Sequence, residues 1–257
     1  MAERGQPLHP STGWGVTHLL LRCVRGSDGN PMRDALRAFV ADEPNQALTF
    51  SVLGGGADLG VMAISPDLDR LDVLVKALTG DQVSVVDSFF SLTEVSEYMS
   101  SEDEERARLE AKGADDVEEQ LAAWRERIAQ YTKAKLHPRL PSKRLLAFYP
   151  MSKRRLADDN WYALPFEDRR RLMGGHAVVG PRYAGRILQL ITGATGLDDW
   201  EWGVTLLSDD ATAIKEIVYE MRFDETTTRY GEFGPFWVGM LMDHEAALTR
   251  SGLTLRA

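Results

Sequence analysis

Twice along its 257 residues the chain lays down the same order of apolar patterns. Residues 14–24 (WGVTHLLLRCV) have the aliphatic and β-branched composition of a strand, and Gly26-Ser27-Asp28-Gly29-Asn30 breaks it. Pro31 then starts a helix whose apolar residues Met32, Ala35, Leu36, Phe39 and Val40 fall on one face. Residues 47–53 and 58–64, separated by Gly54-Gly55-Gly56, predict a hairpin. Pro66 opens a second helix on Leu68, Leu71, Val75 and Leu78, and residues 83–95 return as a strand.

The second half repeats this order. Residues 144–149 read as a strand, and 165–179 as a helix ended by Gly180-Pro181. Residues 186–191 and 201–207 are strands, Asp209-Asp210 caps a helix that turns Ile214, Ile217, Val218 and Met221 inward, and 230–238 closes the unit. Each half is therefore strand, helix, strand, strand, helix, strand, the ferredoxin-like βαββαβ plan. The expected class is α+β, a duplication with two sheets packed together and large faces able to pair between subunits. The halves are residues 1–99 and 144–257. Residues 100–143 join them as a charged helical connector, in which Glu102, Asp103, Glu104 and Glu105 precede Arg106, Arg108 and Lys112. Its end, residues 133–142 (KAKLHPRLPS), reads as a proline-punctuated loop.

A formal net charge of −9 argues against a nucleic-acid binder, whose affinity rests on releasing counterions from phosphates. Local basic clusters remain able to hold a small polyanion. Cys23 is the single cysteine, so no disulfide forms within the chain and thiolate metal sites are nearly excluded, as suits a reducing cytosol. No signal-peptide pattern and no apolar run of about 18 residues occurs, so a soluble, cytoplasmic protein without stable membrane insertion is expected.

Few residues carry chemistry on their own. Residues 54–60 (GGGADLG) lack the lysine and hydroxyl of a phosphate-binding loop and read as a turn. Residues 148–155 (FYPMSKRR) place a phenol, a proline and three cations at a strand end, where Pro150 is expected to stop regular pairing. By composition that is either a solvated terminus or a reactive rim. His176 shares a helix face with Leu172, Met173 and Val179, where a lone histidine is ordinarily a satisfied core residue. Gly174 and Gly175 beside it each cost about 1 kcal/mol of helix propensity, which asks for close approach by something flat or bulky. Gln189 lies among aliphatics and needs a partner. Trp200-Glu201-Trp202 reads as sheet packing, and residues 221–225 (MRFDE) as an ion-paired strand edge.

Taken in order, these segments resemble the chlorite dismutase superfamily, and within it the coproheme decarboxylases. The similarity lies in FYPMSKRR (148–155), DNWY (159–162), MGGHAVVGPRYAG (173–185), QLITG (189–193), GLDDWEWGVTL (196–206), VYEMRFDE (218–225) and YGEFGPFWVG (230–239). The N-terminal half is similar mainly in layout.

The resemblance implies a dimeric α+β barrel in which His176 ligates the haem iron, Tyr149 is the catalytic tyrosine and Gln189 is the distal residue. Lys153 would pair with a propionate, with Pro150, Met151, Ser152, Trp161 and Arg222 also against the porphyrin. Lys135 stands where relatives carry a propionate-binding arginine, keeping the charge without the bidentate fork. Thr227 stands where they carry serine. The implied substrate is iron coproporphyrin III (coproheme), the oxidant hydrogen peroxide and the product haem b, through a tyrosyl radical at Tyr149. The resemblance also implies a ring of five subunits, and the pathway implies transient contact with a ferrochelatase. Two rival readings are a chlorite dismutase or peroxidase-like haem enzyme, which Gln189 in place of arginine speaks against, and a haem-binding or delivery protein without turnover. A carrier needs His176 but not Tyr149 with Lys153.

Overall fold

The computed structural model describes residues 6–256. The N-terminal half runs β1 (Gly15–Cys23), α1 (Asn30–Val40), β2 (Gln46–Val52), β3 (Leu59–Ser65), α2 (Leu68–Leu78) and β4 (Val83–Thr93). The connector folds as α3 (Glu102–Ala111) and α4 (Val117–Leu136). The second half runs β5 (Leu145–Lys153), α5 (Phe166–His176), β6 (Ile187–Gly193), β7 (Trp202–Ser208), α6 (Ala211–Met221), α7 (Glu225–Tyr230), β8 (Gly231–Phe233) and β9 (Trp237–Met242). A last helix, α8 (His244–Arg250), crosses back to pack Ala247 and Leu248 against the core of the N-terminal half.

Both halves show the same strand order: β4-β1-β3-β2 in the first, and β9-β5-β7-β6 in the second. The sheets are not simply stacked. Leu92 and Thr93 of β4 pair with Gly193 and Thr192 of β6, and Thr49 to Val52 of β2 pair with Met242 to Gly239 of β9. With β5 paired to β7, eight strands close into a barrel, leaving no long edge open among the described residues. Its interior is filled by Val16, Leu20, Phe50, Met62, Ile64, Phe89, Leu146, Phe148, Leu190 and Leu207. Gly60 and Gly239 make room for Phe50, since a Cβ would come within 2.0 and 2.3 Å of its ring. Gly60 thus belongs to β3, while the hairpin turn falls at Gly54 and Gly55, with φ of +88° and +75°.

His18 is fully buried inside this barrel. Its ring stacks on Phe148 at 3.9 Å between centroids, Nε2 meets the Thr205 hydroxyl at 2.9 Å, and Nδ1 has no partner among the described residues. Burial pushes its pKa down to about 3. The unfolded chain takes up this proton near the ordinary value of 6.5 and the folded one does not, so stability falls between pH 6.5 and 3 by about 1.4 kcal/mol per unit. His18→Gln is expected to flatten that part of the stability curve, measured by denaturant unfolding across the range.

Three expectations are corrected. β5 does not stop at Pro150 but runs to Lys153. It changes neighbour there, pairing β9 through Phe148 and β8 from Met151, so the missing N–H falls at the gap between the two. Residues 133–136 are not loop: Lys133, Ala134, Lys135 and Leu136 favour helix and complete α4, which ends before Pro138. The 221–225 segment is not a strand edge, because α6 ends at Met221 and Asp224 caps α7. Among the described residues no helix is long and apolar enough to cross a membrane.

Candidate functional site

The site lies on the outer face of the second half's sheet. Period-two alternation puts Ala147, Tyr149, Met151 and Lys153 of β5 on that face, beside Val204 and Leu206 of β7 and Ile187, Gln189 and Ile191 of β6. Tyr149 and Lys153 are four residues apart on one strand, about 13 Å along it. Pro150 and Ser152 project from the other face. Pro150 packs near Gly234 and Trp200, and the Ser152 hydroxyl accepts from the Glu201 N–H at 3.2 Å. Neither side chain joins the group.

The opposite wall is α5, the turn after it and α7. His176 is in the last turn of α5, and its Nδ1–H donates to Asp224 Oδ2 at 3.1 Å. That carboxylate is itself held by the Thr227 N–H at 3.0 Å and the Thr227 hydroxyl at 2.7 Å. Thr227 therefore acts here on Asp224. With Nδ1 engaged, Nε2 is the free donor of His176. Among the described residues no three His, Cys, Asp or Glu side chains gather to hold an ion. A metal at His176 would need its remaining ligands from another molecule, as porphyrin nitrogens supply them. Cβ atoms placed on Gly174 or Gly175 meet nothing within 4 Å, so the helix surface beside His176 is open.

Two cations rim the same face. Lys153 is buried, its Nζ 4.5 Å from the Trp161 ring centroid; its backbone N–H donates to Glu201 Oε2 at 2.7 Å, but no carboxylate lies within 4 Å of the ammonium among the described residues. Burial pushes it down to about 8, against a smaller upward pull from Asp224 and Glu201. Arg222, at the C-terminus of α6, lies 4.4 Å from the Phe233 centroid. Tyr149 stacks on Phe236 at 4.3 Å, and burial pushes its phenol up to about 12, with Arg222 pulling slightly the other way. It is a neutral phenol at any ordinary pH. Gln189 reaches toward the turn after His176, its Oε1 standing 3.3 Å from where a Gly180 Cβ would be. Trp161 is buried against Tyr230. Lys135 stands apart on the last turn of α4, half buried and 5.6 Å from the Tyr131 centroid.

The residues therefore fit a flat polyanionic porphyrin: an apolar sheet face, an oriented imidazole, and cations with no carboxylate of their own. Asp224 escaped the sequence reading, although Asp224-Glu225-Thr226-Thr227 is a helix-capping pattern that marks it as a fixed carboxylate. A porphyrin carboxylate would need Lys153 charged. Affinity for a propionate-bearing haem is expected to hold below pH 8 and to fall by up to about tenfold per unit above it. Lys153→Met should weaken binding and abolish that slope in a Soret titration.

The model of the family described as chlorite dismutase matches residues 30–242. A Natronomonas pharaonis protein named for heme binding is 41% identical over 91% of this chain and 40% of its own length. A coproheme decarboxylase of Thermus thermophilus is 54% identical over 48% of this chain and 49% of its own length. The chain thus spans about half the length, or less, of these curated relatives. Among solved structures, a heme-binding protein from Thermus thermophilus superposes with a TM-score of 0.76 at 34% identity, covering 97% of this chain and 100% of that one. A chlorite dismutase from Candidatus Nitrospira defluvii shares the fold, with a TM-score of 0.68 at 14% identity over 95% of this chain and 97% of that one. The duplicated barrel, the matched span and the full-length structural similarity lead to one conclusion: this chain belongs to the chlorite dismutase family.

Proposed function

We propose that the protein is a coproheme decarboxylase, converting two propionates of iron coproporphyrin III to vinyl groups with hydrogen peroxide and so giving haem b. One observation carries the reading. A buried neutral tyrosine and a buried lysine whose ammonium meets no carboxylate within 4 Å among the described residues share one strand face, opposite a histidine oriented by a carboxylate. A protein that only carries haem has use for the histidine. The tyrosine and lysine add an oxidisable group and a carboxylate anchor at a set spacing. Glutamine rather than arginine at position 189 favours the decarboxylase over a chlorite dismutase.

The bound iron would supply the redox chemistry with peroxide. His176 would hold it through Nε2, with Asp224 fixing the ring. Lys153 and Arg222 would fix propionates, setting one of them against Tyr149. The Tyr149 hydroxyl, as a phenol rather than a phenolate, gives up an electron and a proton together. The phenoxyl then takes a hydrogen atom from the propionate carbon next to the ring. Each propionate loses carbon dioxide, a proton and two electrons. One peroxide accepts the two electrons with two protons and becomes two waters. Trp161, under the Lys153 ammonium, would hold that cation.

Titrating peroxide into the complex with iron coproporphyrin III and following porphyrin mass tests this. Stepwise loss of two carboxyl groups is expected. Unchanged porphyrin, or oxygen release from chlorite at high turnover in its place, would overturn it.

A further inference from the structure

The helix that carries His176 has little core of its own. Of its eleven residues only Leu172 is buried, and Gly174 and Gly175 weaken its last turn. Its position is therefore set by what holds it from outside. On one side α7 does so, where the Thr226 hydroxyl donates to the Leu172 carbonyl at 3.0 Å and Asp224 takes His176. On the other side stands the charged connector.

That second contact is built from several parts. The Arg170 guanidinium of α5 is bidentate on Glu104 of α3. Glu104 is fixed beforehand, since its carboxylate also accepts the Ser101 N–H at 2.9 Å in the capping box of α3. The guanidinium and that backbone bond hold Glu104 down to about 2. Just before α3, Tyr98 stacks on Phe166 at 5.7 Å, accepts from Arg169 Nε at 3.4 Å, and packs with Leu172, Met173 and Trp161. α3 is tied in turn to α4 by Arg125, bidentate on Glu102 at 2.8 and 2.6 Å, and by Arg106 on Glu118. The end of α4 is fastened to the barrel, where the Thr93 hydroxyl donates to the Leu136 carbonyl at 2.7 Å. An isolated surface ion pair contributes little, but a pre-oriented bidentate pair inside a network loses less side-chain freedom on forming.

We propose that Glu104 and Arg170 are positioning residues for His176, and that the connector is a strap running from the barrel to the helix that bears the iron ligand. This rests on the reading of His176 as an axial ligand, and it assigns a role to the segment lying outside the two repeats. The strap sets how far His176 can move relative to the sheet face that bears Tyr149.

The test is amide hydrogen exchange on the ligand-free full chain, paired with the iron–histidine stretching band of the ferrous haem b complex. Arg170→Gln leaves the capping box intact. It is expected to raise exchange over residues 166–177 several-fold and to shift or broaden that band, with β1 to β4 unchanged. Arg170→Lys should restore part of both effects. Arg171→Gln, the same charge change at a residue whose pairs with Asp168 at 3.9 Å and Glu225 at 4.0 Å are long and solvent-exposed, should alter both far less. Unchanged exchange in Arg170→Gln, or an equal effect from Arg171→Gln, would overturn the strap. Faster exchange with an unmoved stretching band would overturn its positioning role. If the wild-type chain gave no iron–histidine band at all, the axial-ligand reading would fail, while the exchange result would still decide the strap.

Discussion

Tyr149→Phe is expected to abolish decarboxylation while iron coproporphyrin III still binds. The phenyl ring keeps the stacking on Phe236 at 4.3 Å and the packing against Phe233 at 5.9 Å, so the sheet face retains its shape. No hydrogen bond to the hydroxyl is present among the described residues, so removing it orphans no partner and costs little stability. Affinity should change by less than about tenfold, or ~1.4 kcal/mol. The chemistry should change far more. Benzene C–H bonds do not yield a hydrogen atom under these conditions, whereas a phenol yields one and leaves a neutral radical whose unpaired electron is spread over the ring. Burial strengthens the argument: with the phenol pushed up to about 12, phenolate is scarce at neutral pH, and electron and proton must leave together. The measurement is porphyrin mass after peroxide addition, alongside a Soret binding titration. Normal product formation by Tyr149→Phe would remove Tyr149 from the mechanism. Loss of binding in step with turnover would make it a packing residue.

How much of this could be read from residues follows from which contacts are local. The two βαββαβ repeats were legible because helix and strand periodicity is set within windows of about a dozen residues. Closure into a barrel was not, because it depends on short edge pairings such as Leu92 with Gly193 and Val52 with Gly239. Nothing in the periodicity of β4 or β6 says which edge each will meet. Pro150 misled for a related reason, since its effect on β5 depends on which neighbour faces it. At the site, Tyr149, Lys153, Gln189 and His176 were singled out by the family resemblance of their segments, since residue type alone left ordinary readings open. Asp224 was not, because a carboxylate in a charged run is ordinary until the fold turns it toward an imidazole. The strap was hidden more deeply still. Glu104 is one acid among four in a row; its place three residues after Ser101 marks a capping box, but only tertiary contact joins it to Arg170.

His176→Ala should produce the second large effect, and Asp224→Asn a smaller one of the same kind. Alanine removes the imidazole from that wall yet leaves the apolar face of Ala147, Val204 and Leu206 and the two rim cations in place. Porphyrin should therefore still bind, weakened by more than the roughly 10- to 100-fold typical of losing an outer-shell partner, and with an altered Soret spectrum. Added imidazole should enter the space left by the side chain and return much of the wild-type spectrum. Asp224→Asn keeps an acceptor for Nδ1–H but removes the negative charge that makes the imidazole a stronger donor. A weaker donor stabilises the oxidised iron less, so the reduction potential should rise while the Soret position barely moves. Thr227→Val should push in the same direction through Asp224, because it deletes the hydroxyl bond of 2.7 Å that orients the carboxylate. The order expected is His176→Ala, then Asp224→Asn, then Thr227→Val, in both spectrum and potential. An unchanged Soret band in His176→Ala would show that the iron is held by another residue, and the role assigned to Asp224 would fall with it.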